Sequence, residues 1–145
     1  MLDIIVVKNE NDLNKCLEIR NIVFIEEKNV PIEIERDNYD LITENCTHFL
    51  VKYDNKCIGT LRCNVEEKDV VKIQRFCILK EYRKLGIGKN VLIFIEDYYK
   101  ANKKMIKMDA KYEALGFYEK CGYKKVSDIF IEANIEHITM AKSIS

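Results

Sequence analysis

The chain has 145 residues, 48% hydrophobic and 33% charged, enough apolar content for one self-sufficient core. Its 24 basic and 24 acidic residues cancel to a formal net charge of zero, leaving no broad basic field for a nucleic-acid backbone. No uninterrupted apolar stretch approaches the roughly 20 residues that a membrane span needs.

The opening Met1-Leu2-Asp3-Ile4-Ile5-Val6-Val7 holds an acid and no basic segment of the kind that starts a signal peptide, and it reads as a first strand. Together these features lead us to expect one cytoplasmic domain over residues 1–145, with neither nucleic acid nor membrane as partner. Asn9 or Asn11 can cap a helix to about residue 25, with Leu13, Leu17, Ile19, Ile22 and Val23 on its apolar side. Residues 26–45 are acid-rich, contain the only proline, Pro31, and read as a loop with one short helix placed to border a site. Strands over 48–53 and 57–65 follow, joined by a tight turn at Asp54-Asn55-Lys56. Glu66-Glu67-Lys68-Asp69 then turns the chain into a strand over 70–79. A helix runs from the glycines at 86 and 88 to about Ala101, with Ile87, Val91, Phe94, Ile95 and Tyr98 on one side. Residues 105–110 read as a strand and 112–121 as a helix ended by Gly122; 123–126 and 135–141 read as closing strands. This order predicts an α+β layered fold, a mixed sheet with helices on both faces.

Six cysteines, at 16, 46, 57, 63, 77 and 121, form no Cys-x-x-Cys pair, and His48 and His137 lie far apart, so no metal site is expected. None of the cysteines is placed with a histidine and an acid that would activate it, which disfavours a covalent acyl-enzyme.

Residues 83–90, Arg-Lys-Leu-Gly-Ile-Gly-Lys-Asn, sit between an apolar strand and an apolar helix. A strand-to-helix turn leaves backbone N–H groups unpaired at the positive end of a helix, which suits a phosphate. The segment is not a Walker loop: Arg83 stands where its first glycine belongs and Asn90 where the hydroxyl residue belongs. Nor is it a dinucleotide fingerprint, because Val91 replaces the third glycine. A plain connecting turn remains open, although one glycine without flanking cations would serve that purpose. The pattern that fits is Arg-x-x-Gly-x-Gly, at Arg83, Gly86 and Gly88.

Arg83-Lys84-Leu85-Gly86-Ile87-Gly88, followed about 30 residues on by Ala114-Leu115-Gly116-Phe117-Tyr118-Glu119-Lys120-Cys121-Gly122-Tyr123, resembles the GCN5-related N-acetyltransferase (GNAT) family over essentially the whole chain. The first segment is similar to that family's pyrophosphate loop and the second to its closing helix and strand. Two further stretches, residues 30–37 and 132–137, resemble a small bacterial ElaA/YjcF-like subgroup. The resemblance implies a mostly antiparallel sheet of about six to seven strands with one splayed pair, acetyl-CoA as cosubstrate and an amine as acceptor. A homodimer is plausible on the same ground. Lys84 stands where the family often has glycine, and Asp109 where it often has asparagine.

By the resemblance, the pyrophosphate would lie on the amides of residues 84–89 (Lys84, Leu85, Gly86, Ile87, Gly88, Lys89), assisted by the side chains of Arg83, Lys84 and Lys89. The pantetheine arm would pair with the edge of Phe76-Cys77-Ile78, and the Ile78 amide would face the thioester carbonyl. Tyr118 would be the general acid for the leaving thiolate. The spacing of Ala114, Phe117, Tyr118 and Cys121 equally suits a core aromatic. An acceptor amine of pKa ~10.4 is almost wholly protonated at pH 7, so a base or water chain is required. Glu26, Glu27, Glu33, His48 and Gln74 lie on elements that could border the acceptor, and the sequence names none of them as the base. His48 and His137 each read more simply as a satisfied ring, and Arg62 and Arg75, mid-strand, each need a partner. The alternative activity is a catalytically silent domain that binds acetyl-CoA or CoA.

Overall fold

The first helix starts where the sequence supplies a cap: the Asn9 side chain accepts from the Asp12 N–H at 2.8 Å. The computed structural model describes residues 1–145. Strand β1 (Leu2–Val6) leads into α1 (Glu10–Arg20), which continues as a π-helical segment over Asn21–Glu27 and is followed by the short α2 (Ile32–Glu35). Strands β2 (Cys46–Tyr53), β3 (Lys56–Glu67) and β4 (Val70–Ile78) form a meander. A 3₁₀ turn at Lys80–Tyr82 precedes α3 (Ile87–Tyr99), then come β5 (Met105–Lys111), a second 3₁₀ turn at Tyr112–Ala114 and α4 (Leu115–Lys120). The chain closes with β6 (Lys124–Lys125), β7 (Phe130–Glu132) and β8 (Ile135–Ser143). The strand β7 has no counterpart in the sequence reading; it is short, and Ile131 and Glu132 face solvent, so it lacks the alternation that marks a half-buried strand.

The eight strands form one sheet in the order β1-β2-β3-β4-β5-β8-β6, with β7 on the same edge of β8 as β6. Only β4 and β5 run parallel. Their pairing stops at Ile73 and Met108, although β4 continues to Ile78 and β5 to Lys111, so the two strands splay beyond that point. A bulge in β4 opens the same region: Arg62 faces Gln74 and Thr60 faces Cys77, leaving Arg75 and Phe76 against Leu61 alone, with Arg75 at φ +55°.

Helices cover both faces. One core joins α3 to the sheet through Val91, Leu92, Ile95, Ile106 and Met140, while Leu13, Cys16 and Val23 of the first helical stretch pack on Leu50 and Cys77. Each such fully buried aliphatic side chain contributes about 1.5–3 kcal/mol. The buried face of α3 is Ile87, Val91, Leu92, Ile95 and Tyr99, which corrects the expectation of Phe94 and Tyr98. Residues 91–95 are all apolar, so periodicity leaves the rotation of the helix undecided; Phe94 and Tyr98 instead flank Phe49, with ring centroids 6.3 and 5.3 Å away. No helix is long and apolar enough to cross a membrane.

Candidate active site

The loop between β4 and α3 folds as its glycines require at one position and against preference at another. Gly86, immediately before α3, has φ +80°, and a Cβ built on it meets nothing within 4 Å. Lys84 adopts the same left-handed region at φ +65°, a conformation that glycine takes at no steric cost. The N–H groups of residues 84–86 donate no backbone hydrogen bond, and the first helical N–H to reach a carbonyl is that of Asn90, to Gly86. The N–H groups of residues 84–89 therefore stand unpaired at the N-terminus of a 13-residue helix. Gly88 makes a different contribution: a Cβ there would come within 3.1 Å of Phe117 Cζ, so its absence brings α4 against α3.

Arg83 turns its guanidinium onto Glu27, with both N···O distances 2.7 Å, and its Nε donates to the Ile78 carbonyl at 2.8 Å. The hydrogen bond from Arg83 holds the Glu27 carboxyl below the usual carboxylate range. The loop's remaining cations are Lys84 and Lys89; Arg83 ties the loop to the π-helical segment.

The end of β4 presents backbone toward the splay. The Leu79 N–H donates to the Ile58 carbonyl at 2.8 Å, which makes Gly59 and Ile78 a non-hydrogen-bonded pair and turns the Ile78 N–H away from β3. Gly59, which sequence reasoning passed over, permits this approach. A Cβ on it would lie 2.9 Å from the Cys77 carbonyl oxygen and 2.6 Å from Ile78 Cδ1. A glycine inside a β-rich strand was the available signal.

These parts face one cavity of about 880 Å³, which runs between the splayed strands and is lined by Phe76, Cys77, Ile78, Lys84, Gly86 and Gly88 on one side. Tyr118 also lines it, packed edge-on against Phe117 and Tyr123 at 5.1 and 6.1 Å. Burial pushes its phenol well above the ordinary tyrosine range, so it stays protonated at neutral pH. Burial likewise pushes the Cys77 thiol up to about 12, which keeps it out of the thiolate form.

The other half of the cavity is bounded by Ile34 and Glu35 of α2, by Lys72, Gln74 and Arg75 of β4, by Asp109 and Lys111 of β5, and by the β7–β8 hairpin with Glu132 and His137. Asp109 binds Lys72 at 2.8 Å and the Thr139 hydroxyl at 2.7 Å where the β4–β5 pairing ends. Burial opposes its charge, but these two partners outweigh it and hold the carboxyl below the usual range.

The mid-strand arginines find the partners they need in the acidic loop. Arg62, 1% exposed, donates to Asp37 at 2.6 Å, Asp40 at 2.8 Å and Gln74 at 3.0 Å. Arg20, equally buried, donates to Glu35 at 2.9 Å and Asp40 at 2.5 Å. Arg75 donates to the carbonyls of Glu35 and Ile34 at 3.1 and 3.3 Å. This network fastens α2 and the loop behind it across the sheet, and so builds one wall of the cavity. Of the candidate bases, Glu26, Glu27, Glu33 and His48 do not line the cavity, and His48 Nε2 faces the carbonyls of Tyr39 and Leu41 at 2.9 and 3.1 Å. Gln74 does line it, but accepts from Arg62 and Asn64.

A family model described as an acetyltransferase (GNAT) domain matches residues 27–144. The uncharacterised N-acetyltransferase YjcF of Bacillus subtilis (strain 168) is 32% identical over 141 residues, covering 95% of this chain and 97% of that protein. The crystal structure of Escherichia coli ElaA shares the fold with a TM-score of 0.85 at 21% identity, covering 98% of this chain and 99% of that one. An aminoglycoside 6'-N-acetyltransferase complexed with coenzyme A does so with a TM-score of 0.81 at 14% identity, covering 100% of this chain and 97% of that one.

Proposed function

Because the chain belongs to the GNAT acetyltransferase family, we propose that it moves an acetyl group from acetyl-CoA to a primary amine by direct attack, with residues 1–145 acting as one domain. What carries the reading is a single cavity lined by Lys84, Gly86 and Gly88 of a helix N-terminus whose N–H groups from 84 to 89 are unpaired, by an open strand edge and by a protonated tyrosine. The fit to acetyl-CoA is chemical. A diphosphate needs several N–H donors and a cation, which residues 84–89 with Lys84 and Lys89 supply. An amide-rich arm needs a strand edge, which Phe76-Cys77-Ile78 offers.

In this reading the Ile78 N–H donates to the thioester oxygen as negative charge develops on it, an effect of about 3 kcal/mol for one well-placed donor. Tyr118 gives its proton to the departing thiolate; its elevated range means that the phenol holds this proton until sulfur claims it. Cys77 lines the same cavity, yet as a neutral thiol it is a poor nucleophile, which favours direct attack over an acyl-enzyme. An amine nitrogen as the acceptor is supported by two names, N-acetyltransferase for YjcF and aminoglycoside 6'-N-acetyltransferase for a structure of the same fold.

The test is thiol release from acetyl-CoA with a panel of primary amines, run beside thermal denaturation with and without acetyl-CoA. The expected result is stabilisation by acetyl-CoA, turnover with at least one amine, and a fall of about 100-fold in turnover for Tyr118→Phe at unchanged acetyl-CoA affinity. Stabilisation without turnover on any amine would leave only a cofactor-binding domain. No stabilisation at all would overturn the site itself.

A further inference from the structure

Resting on the transferase reading above, we propose that His137 Nε2 is the base that takes the proton from the acceptor's ammonium group. His137 pairs with Lys111 across β8 and β5, two residues from the Asp109–Thr139 pair, so it shares their face of the sheet. It lines the cavity while only 7% exposed. Its Nδ1 lies 2.8 Å from the Ile135 carbonyl oxygen. A carbonyl can only accept, so Nδ1 carries the hydrogen and the lone pair of the neutral ring sits on Nε2. The ring stacks on Phe130, with centroids 5.8 Å apart and planes 22° apart. Tautomer and tilt are thus both fixed by groups that take no part in the chemistry.

At Nε2 the one carboxylate within salt-bridge range is Glu132, its Oε2 4.0 Å away and too far for a hydrogen bond. Lys72 on β4, Asp109 and Lys111 on β5 and Glu113 on the turn after β5 line the same cavity. β6 adds only Lys124 and Lys125, beside Ala141 and Met140. Asp109 is a poor competitor for the proton, because Lys72 and Thr139 already satisfy its carboxylate. Imidazole is also the side chain whose charge ordinarily changes near neutral pH, which suits a base that must be regenerated every turnover.

The proton count closes. The ammonium passes one proton to Nε2, and the freed lone pair forms the C–N bond while the carbonyl pair moves onto oxygen. Collapse re-forms C=O and breaks the C–S bond, the pair leaving on sulfur, which takes the Tyr118 proton. The nitrogen's second proton restores Tyr118 through water, and His137 releases its proton to solvent. One amide, one thiol and one proton result.

The experiment compares wild type, His137→Asn and His137→Ala by thiol release with two nucleophiles. One is whichever of lysine, spermidine, glucosamine or kanamycin wild type accepts. The other is hydroxylamine, which is largely unprotonated at neutral pH and needs no base. His137→Asn keeps an N–H near the position of Nδ1 and removes Nε2. We expect turnover of the alkylamine to fall about 100-fold and that of hydroxylamine by less than about threefold, at unchanged acetyl-CoA affinity. Added imidazole should restore alkylamine turnover in His137→Ala, a rescue that a purely structural role would not show. Equal losses with both nucleophiles, or no loss, would overturn the proposal while leaving the transferase standing. Wild type that neither binds acetyl-CoA nor releases thiol would overturn the transferase reading and this inference with it.

Discussion

Gly86→Ala separates backbone strain from ligand contact. Gly86 sits at φ +80° and ψ 4°, and no atom lies within 4 Å of the position a Cβ would take. In the free protein the substitution therefore brings conformational strain and no clash: about 1 kcal/mol to hold a side chain in the left-handed region, partly offset by a stiffer unfolded chain. For a chain of this size that lowers Tm by about 3 °C. The new methyl projects into the space that the diphosphate is proposed to fill. Losing one charge-assisted hydrogen bond there costs about 1.5–3 kcal/mol, roughly 10- to 150-fold in Kd. Calorimetric titration with acetyl-CoA and with S-acetylpantetheine, which lacks the diphosphate, reads the difference: only acetyl-CoA should lose affinity. Lys84→Gly supplies the opposite sign on stability, because it relieves the strain of φ +65° and should raise Tm by about 2 °C. An unchanged acetyl-CoA affinity in Gly86→Ala, or equal losses for both ligands, would refute the placement of the diphosphate on this loop.

Asp40→Asn should cost about 1.5–3 kcal/mol in denaturant unfolding, because Arg20 and Arg62, both fully buried, lose the carboxylate they share while keeping Glu35 and Asp37; a loss under about 1 kcal/mol would mean that the network is solvated. Burial opposes the Asp40 charge, but the Arg20 hydrogen bond and its other partners bring the carboxyl to about 2. A depressed carboxyl contributes stability above its unfolded value and loses it as pH falls, so acid titration of the unfolding free energy should show a decline between about pH 5 and pH 2 that Asp40→Asn lacks. Gly59→Ala should destabilise by about 1–3 kcal/mol, since the rigid Cys77 carbonyl at 2.9 Å cannot yield as a side chain would. It should also lower turnover more than acetyl-CoA affinity, through displacement of the Ile78 edge. Tyr99, Tyr118 and Tyr123 are all pushed up by burial. As pH rises past about 10 the unfolded chain releases protons that the fold retains, so stability should fall on the alkaline side; chemical denaturation from pH 8 to 11 checks the slope.

Local chemistry made much of this protein legible from its residues. The Asn9 cap, the Asp54-Asn55 turn, and the strand–glycine–helix order around Gly86 each depend on neighbours a few positions apart, and each stands in the fold where short-range rules put it. The facing of α3 did not follow in this way, because a helix apolar from Val91 to Ile95 can turn several sides inward and only the sheet's shape selects Leu92 and Tyr99. β7 has no alternation of its own in the sequence, because what defines it is its pairing with β8 across the two left-handed residues Ala133 and Asn134.

That a glycine-bearing turn opens a helix with free N–H groups follows from hydrogen-bond counting along the chain alone. What stands around that turn came from the folded arrangement. It gave Arg83 to Glu27, 56 residues away in the chain, paired Arg62 with Asp37 and Asp40, and set His137 of the last strand in the cavity wall with Nδ1 on the Ile135 carbonyl. Partners so distant in sequence meet only through sheet register and strand splay, and these are set by the packing of the whole chain.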